Sequence, residues 1–273
     1  MAFPNPTHRF RISLVLATCA LLPGPGRAQP HATEDPALDQ ILQKHVDAIG
    51  GWRNWNKVQS IRLRGTIERG DETVDFVIIK KRPDKIRATI SVPVPGKEEA
   101  TLQVIRAHDG TRAWTATRLA GARDLRKEPL DPAAARELKG DAGVLPDLIK
   151  LWQAGAHLTL RDSADETPDK SPDASGIVIR AVPDADNPDR AMEFHLSPET
   201  FRTQSYTVLR DGRTVSQTWF SDYATVSGIT LPRKHRMEDP RTGTSLMRVH
   251  SIDVGVGIYR DYFQISESDQ GTQ

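Results

Sequence analysis

Val58–Arg69 reads VQSIRLRGTIER, and its alternation decides the fold. Ile61, Leu63 and Ile67 point one way, while Arg62, Arg64, Thr66 and Glu68 point the other. Successive side chains of a strand change face, so this segment is a strand with one dry and one wet side, as antiparallel sheets have. Lys85–Val92 (KIRATISV) repeats the pattern, with Ile86, Ala88, Ile90 and Val92 set against Lys85, Arg87, Thr89 and Ser91. Between them Thr73–Lys80 (TVDFVIIK) is more apolar and fits a strand covered on both sides. Gly70-Asp71 joins the first two as a hairpin connection.

Further strand-like segments follow at 101–108, 112–116, 156–162, 176–182, 190–196, 201–210, 214–222, 229–238 and 244–252, about a dozen in all. Asp211-Gly212 is a second plain hairpin turn. Meandering strands with short turns give one curved antiparallel sheet or barrel, not a parallel α/β sheet. Such a sheet needs a cover for its dry face, and two parts of the chain can supply it. Leu38, Ile41, Leu42, His45, Val46 and Ile49 fall at helical spacing, with Gly50-Gly51 as the stop, which predicts a helix from about Asp35 to Ile49. Mid-chain, Asp131-Pro132-Ala133-Ala134-Ala135-Arg136-Glu137-Leu138 opens like a capped helix, and Leu148–Trp152 follows Pro146 as a second helical piece. Asp162–Ser175 (DSADETPDKSPDAS) is polar enough to be an exposed loop within the strand series.

The first thirty residues read differently. His8, Arg9 and Arg11 precede the apolar run Ile12–Leu22 (ISLVLATCALL), and PGPGRA then breaks it. That is the pattern of an export signal, with cleavage expected after Ala28. The run is too short to span a bilayer as a stable helix. Residues 29–273 are then one domain, working outside the cytoplasm. Leu16-Ala17-Thr18-Cys19 resembles a lipoprotein lipobox, with Thr18 at a position where a smaller residue is usual. Cys19 is therefore either a lipidation site or a small apolar residue of the signal core.

Composition narrows the function classes. The 273 residues carry 37 Lys+Arg against 36 Asp+Glu, which lacks the charge of a nucleic-acid binder. Cys19 is the one cysteine, so neither a disulfide framework nor a cysteine zinc site can form. The eight histidines, at 8, 31, 45, 108, 157, 195, 235 and 250, show no metal-ligand spacing, and no metal or cofactor is expected. There is no GxSxG elbow, P-loop or GxGxxG, so nothing in the sequence argues for an enzyme.

Four segments resemble a known family, the LolA/LolB-like periplasmic carriers, in their outer-membrane lipoprotein-sorting branch. Lys81-Arg82-Pro83-Asp84-Lys85-Ile86-Arg87 resembles that family's RPxxxR strand start, and Asp109-Gly110-Thr111-Arg112-Ala113-Trp114 its DGxxxW hairpin. His45–Gly51 followed by Ser60–Gly65 is similar to the helix-GG-strand opening. Asp222–Pro232 (DYATVSGITLP) is similar to a strand pair of that branch. The resemblance implies a mainly β fold with α: a curved antiparallel half-barrel of about 11 strands whose concave face is covered by helices. It also implies a carrier that holds acyl chains of lipoproteins, or other lipids, in an apolar cavity while they cross the periplasm. Its partners would be those acyl chains and the inner- or outer-membrane components that hand them on, with no nucleic acid and a monomeric state.

In that family the RP arginine latches the sheet to the lid helices, a role that would fall to Arg82; an ordinary strand-end arginine is the other reading. Trp114 either lines the cavity or fills core. Ile61, Leu63, Phe76, Ile78, Ile86 and Ile90 are lining or core, and Leu148, Leu151 and Trp152 are lid candidates. The insert AAARELKGDAG holds less apolar bulk than a strong lid, which allows a lipid other than a lipoprotein tail. A different class also fits: a sensor or partner-binding module on the same fold, anchored through Cys19.

Overall fold

The computed structural model describes residues 33–94, 96–122, 125–161, 176–183 and 189–265. The expected export signal, Cys19 and the expected loop 162–175 lie outside the described residues. Two helices open the described residues, α1 (Pro36–Ala48) and α2 (Gly51–Trp55). Six strands follow: β1 (Ser60–Arg69), β2 (Glu72–Lys81), β3 (Lys85–Val94), β4 (Lys97–His108), β5 (Ala113–Leu119) and β6 (Glu128–Pro129). Then come α3 (Pro132–Asp141) and α4 (Asp147–Gln153). The second series is β7 (His157–Arg161), β8 (Ile177–Val182), β9 (Arg190–Leu196), β10 (Thr203–Arg210), β11 (Arg213–Val226), β12 (Ile229–Asp239) and β13 (Gly243–Val254).

All thirteen strands form one open antiparallel sheet, in the order β6-β5-β4-β3-β2-β1-β13-β12-β11-β10-β9-β8-β7. The strand beyond those expected is β6, two residues paired to β5 through Trp114 and Thr115. Each series is a meander. The ends of the chain's β region, β1 and β13, pair at the centre, with Ile61 opposite Val254 and Ile67 opposite Met247. The middle of the chain therefore lies at the two outer edges. A connection from β6 to β7 must cross the full width of the sheet, and α3 and α4 are that connection. Topology alone puts the insert over one face, called here the inner face.

Local chemistry sets the helix ends. The Asp35 carboxylate accepts from the Ala37 N–H at 2.8 Å with Pro36 in the first turn, and Asp131 accepts from Ala133 and Ala134 with Pro132 in the same place. Gly50 does end α1, in a left-handed conformation, but Gly51 at once begins α2.

The expected wet face is not wet everywhere. After β13 the chain folds back over the outer side of β3–β5, where Ile265 buries against Ile105, Ala107, Trp114 and Ala116, and Phe263 is buried next to Tyr262. Arg87, expected in solvent, is only 7% exposed. Its guanidinium donates to the Tyr262 carbonyl at 2.9 Å and stacks on the Tyr262 ring at 3.9 Å. Alternation predicted the face correctly; the C-terminal segment that covers it comes from outside the strand pattern.

Candidate functional site

The strand registers sort the inner face into rows that cross several strands. One row is Ile61–Lys80–Ile86–His108–Ala113, from β1 to β5. The next are Leu63–Ile78–Ala88–Arg106–Thr115 and Gly65–Phe76–Ile90–Val104–Thr117. Farther along the strands, Val92, Leu102 and Leu119 form the outermost row.

Helices fill one half of this face. Leu38, Leu42, Val46 and Ile49 of the α1 region, Trp55 of α2, and Leu148, Ile149, Leu151 and Trp152 of α4 make one buried cluster with Ile179, Met192, Phe194, Leu196, Tyr206 and Ile229. Trp52 and Trp152 stack α2 on α4 at 6.1 Å between rings. The other half has only α3. Leu138, with Ala142 just past the helix, covers Val74, Phe76, Ile78, Ile86, Ala88 and Ile90. Beyond them Val92, Leu102 and Val104 keep part of their surface accessible, and Leu119 is 52% exposed. On the opposite side of the same β4 and β5, Ile105, Ala107 and Trp114 are fully buried. The sheet is thus sealed outside and open inside along this edge.

Between the halves lies a group of charges. Lys80 stands on the inner face of β2, His235 on that of β12 opposite Met247, and Asp141, Asp147 and Lys150 come from α3 and α4. Lys150 bonds the Asp147 carboxylate and the Gly140 carbonyl, both at 2.7 Å. Burial, with the nearby Lys150, pushes Lys80 below the usual lysine range. Burial pushes the Asp141 carboxyl well above the usual carboxylate range, although Lys80 and Lys150 pull it back. At Asp147 burial works upward, but Lys150 and Lys80 outweigh it and hold the carboxyl low. Burial pushes His235 down to about 4, so its ring is neutral at pH 7.

The four motif segments meet at one margin of the molecule. The Ser227-Gly228 turn of the β11–β12 hairpin, both residues at positive φ, abuts Gly50: a Cβ there would stand 2.1 Å from the Gly228 carbonyl. Asn54 Nδ2 donates to the carbonyls of Gly50 and Gly228, and Thr230 N–H to that of Ile49. Arg82 then closes the other side of α2, its Nε donating to the Val58 carbonyl at 2.8 Å and its Nη2 to that of Trp55 at 3.0 Å. Next along the chain, Lys85 donates to the Asp109 carbonyl of the DGxxxW turn.

The expected residues separate clearly. Leu63, Phe76, Ile78, Ile86 and Ile90 share the inner face around α3, and Ile61 lies on the same face in the filled half. Leu148, Leu151 and Trp152 are buried in the cover of the filled half, away from the accessible edge. Arg82 sits at the margin and grips α2, a helix end as expected, though not one of the mid-chain helices. Trp114 is on the other side of the sheet. Its Nε1 donates to the Phe263 carbonyl at 2.7 Å, so it is core beneath the C-terminal segment. The inner face also carries Lys80, Arg106 and His235, none of them among the residues expected from the sequence. The signal for Lys80 is its phase: in TVDFVIIK it follows Val74, Phe76 and Ile78 on the dry side.

No protein-family model matches the sequence, and no curated protein matches it significantly. Solved structures do match. A LolA superfamily protein from Nitrosomonas europaea superposes with a TM-score of 0.52 at 12% identity, over 83% of this chain and 97% of the other. A DUF1329 family protein from Desulfovibrio piger gives 0.50 at 15% identity, over 83% and 96%. The fold is LolA-like. At these identities the likeness concerns architecture, and the function has to be argued from the inner face. Among the described residues, no group of three or more His, Cys, Asp or Glu side chains could hold a metal ion. No described helix is long and apolar enough to cross a membrane.

Proposed function

We propose that the protein is a periplasmic carrier that shelters acyl chains on the inner face of β2–β5, beneath α3. One observation supports this above the others. Val92, Leu102, Val104 and Leu119 remain accessible on the inner face, while the outer side of the same strands is closed by Phe263 and Ile265. A contiguous accessible apolar strip beside a core marks a binding surface. Each CH₂ withdrawn from water there contributes about 0.8 kcal/mol, so a long chain binds without a catalytic group.

In this reading residues 1–28 direct export, 29–273 act as one monomeric domain, and Arg82 holds α2 in place as ligand enters. Lipoprotein tails or other lipids are the cargo, taken from one membrane component and passed to another. The test is equilibrium binding of a fluorescent acyl probe to the mature chain. Saturable binding that Val104→Arg abolishes supports the reading, and no binding, or binding that this substitution leaves unchanged, contradicts it.

A further inference from the structure

Positive charge collects at the end of the molecule where α2, the β2–β3 turn and the segment after β13 meet. The Arg82 N–H donates to the Gln59 carbonyl and the Gly255 N–H to that of Ser60, both at 2.9 Å. Lys81 Nζ donates to the Ile258 carbonyl, and Ser60 Oγ to that of Val256 at 2.6 Å. These bonds bring Arg53, Lys57, Lys81, Arg82, Lys85 and Arg260 to one margin. Lys81 stands directly opposite Lys85 in the β2–β3 register, a like-charge pair that costs a sheet stability. Among the described residues none of the six forms an ion pair. The acids of the adjoining turns are engaged elsewhere. Asp109 accepts from the Thr111 and Arg112 N–H groups, both at 2.8 Å, and the Asp84 carboxylate lies against Gly110. Asp261, next to Arg260, is exposed. So are Arg53, Lys57 and Arg260, and among them Tyr259 is 87% exposed, more than any other large hydrophobic side chain described.

We infer that this end docks the protein on an anionic membrane surface, with Tyr259 in the head-group layer and the cations facing lipid phosphates. Each Lys or Arg close to such a surface strengthens attachment about fivefold. A phenol, with an apolar body and a polar tip, suits the boundary between head groups and chains. The attraction reaches about 8 Å at physiological salt, so Lys81, Arg82 and Lys85 add to it while their donors hold carbonyls. The cations come from three segments with no common spacing. A diffuse negative surface requires only that they share one side, whereas an acidic protein face would have to match them carboxylate by carboxylate. The docking end also leaves the apolar strip clear. Ile86 belongs to the row nearest this margin and Val92 to the accessible row, roughly 20 Å farther along β3. This inference stands apart from the acyl-carrier reading.

The one cysteine, Cys19, precedes residue 29, so the chain from residue 29 onward takes a single introduced thiol. A Cβ at Gly257 meets nothing within 4 Å, which makes Gly257→Cys a tolerated place for an environment-sensitive fluorophore. Leu119→Cys carries the same label at the opposite end. Both proteins are mixed with vesicles of phosphatidylcholine alone, or of phosphatidylcholine and phosphatidylglycerol in equal parts. The label at 257 brightens and shifts to the blue with the anionic vesicles only, while the label at 119 is unchanged. In the unlabelled chain, Arg53→Gln, Lys57→Gln and Arg260→Gln each weaken co-sedimentation with anionic vesicles about fivefold, and added salt releases the protein. A response at 119 in place of 257, equal binding to both kinds of vesicle, or variants that bind like the native chain overturns the docking surface. So does binding to neither vesicle, the result expected if an acidic protein is the partner. The acyl-carrier reading stands in each case, because its probe binds without a bilayer.

Discussion

The two halves of the inner face are built from similar strands and differ in what lies on them. Over β7–β12, three helices insert Leu38, Leu42, Trp55, Leu148 and Leu151, and the partly buried Leu160, Val208 and Phe220 pack against that cluster. Over β3–β5, α3 contributes little beyond Leu138, because its sequence is AAARELKGD. The difference shows that a sheet does not decide its own use. The apolar bulk of the covering helices decides whether a dry face becomes core or remains a surface able to take something else. The charges Lys80, Asp141, Asp147 and Lys150 stand at the boundary between the two regimes.

This contrast can be broken by measurement. The largest effect is expected in the filled half: Trp55→Ala removes a side chain 1% exposed and should lower stability by about 3–5 kcal/mol in chemical denaturation. A loss below about 1 kcal/mol would mean that this half is not close-packed. Next comes pH. His235 is pushed down to about 4 in the folded chain, so between about 4 and 6.5 the unfolded chain binds its proton first. Stability from this group is complete above about 6.5 and is lost as pH falls toward 4, by about 3 kcal/mol in total. His235→Phe removes this contribution, and the difference between the two proteins' stability curves should shrink over that window as pH falls.

Arg82→Ala comes third, since it strands the Val58 carbonyl and leaves that of Trp55 with the Val58 N–H alone, and should cost about 2 kcal/mol. Arg82→Lys should recover only part of this, as an ammonium lacks the planar fork that reaches both. Lys80→Met should cost about 1 kcal/mol, because it leaves the carboxyls of Asp141 and Asp147 with Lys150 alone to balance them. Smallest is Leu102→Ala, expected to cost less than about 1 kcal/mol because the side chain is already accessible, while still weakening acyl binding. If Leu102→Ala proves as costly as Trp55→Ala, the two halves are equally packed and the contrast fails.

Much of this fold was legible in the chain. Alternation in Val58–Arg69 and Lys85–Val92 identified the strands and their faces, helical spacing from Leu38 to Ile49 gave α1, and Asp131-Pro132 marked the start of α3. The stretches expected as strands all appear, with β6 as the addition. What could not be read is whatever depends on distant pairing. The outer cover of β3–β5 comes from Phe263 and Ile265, some 150 positions beyond Trp114, and only the folded chain joins them. For that reason Trp114 could not be assigned to a face as lining or core. Lys80 is legible in part: its phase after Ile78 puts it on the dry side, but the carboxyls of Asp141 and Asp147 that it meets there come from α3 and α4, which only the folded chain brings over β2.

The central claim is that the inner face of β3–β5 is a binding surface and the inner face of β7–β12 is not. Photolabelling with a diazirine-tagged dodecanoic acid, followed by peptide mapping, tests it most directly. The account predicts adducts on β3, β4 and α3, around Val92, Leu102, Val104 and Leu138, that excess dodecanoic acid competes away. Adducts confined to the helix-filled half or to the outer face would contradict it.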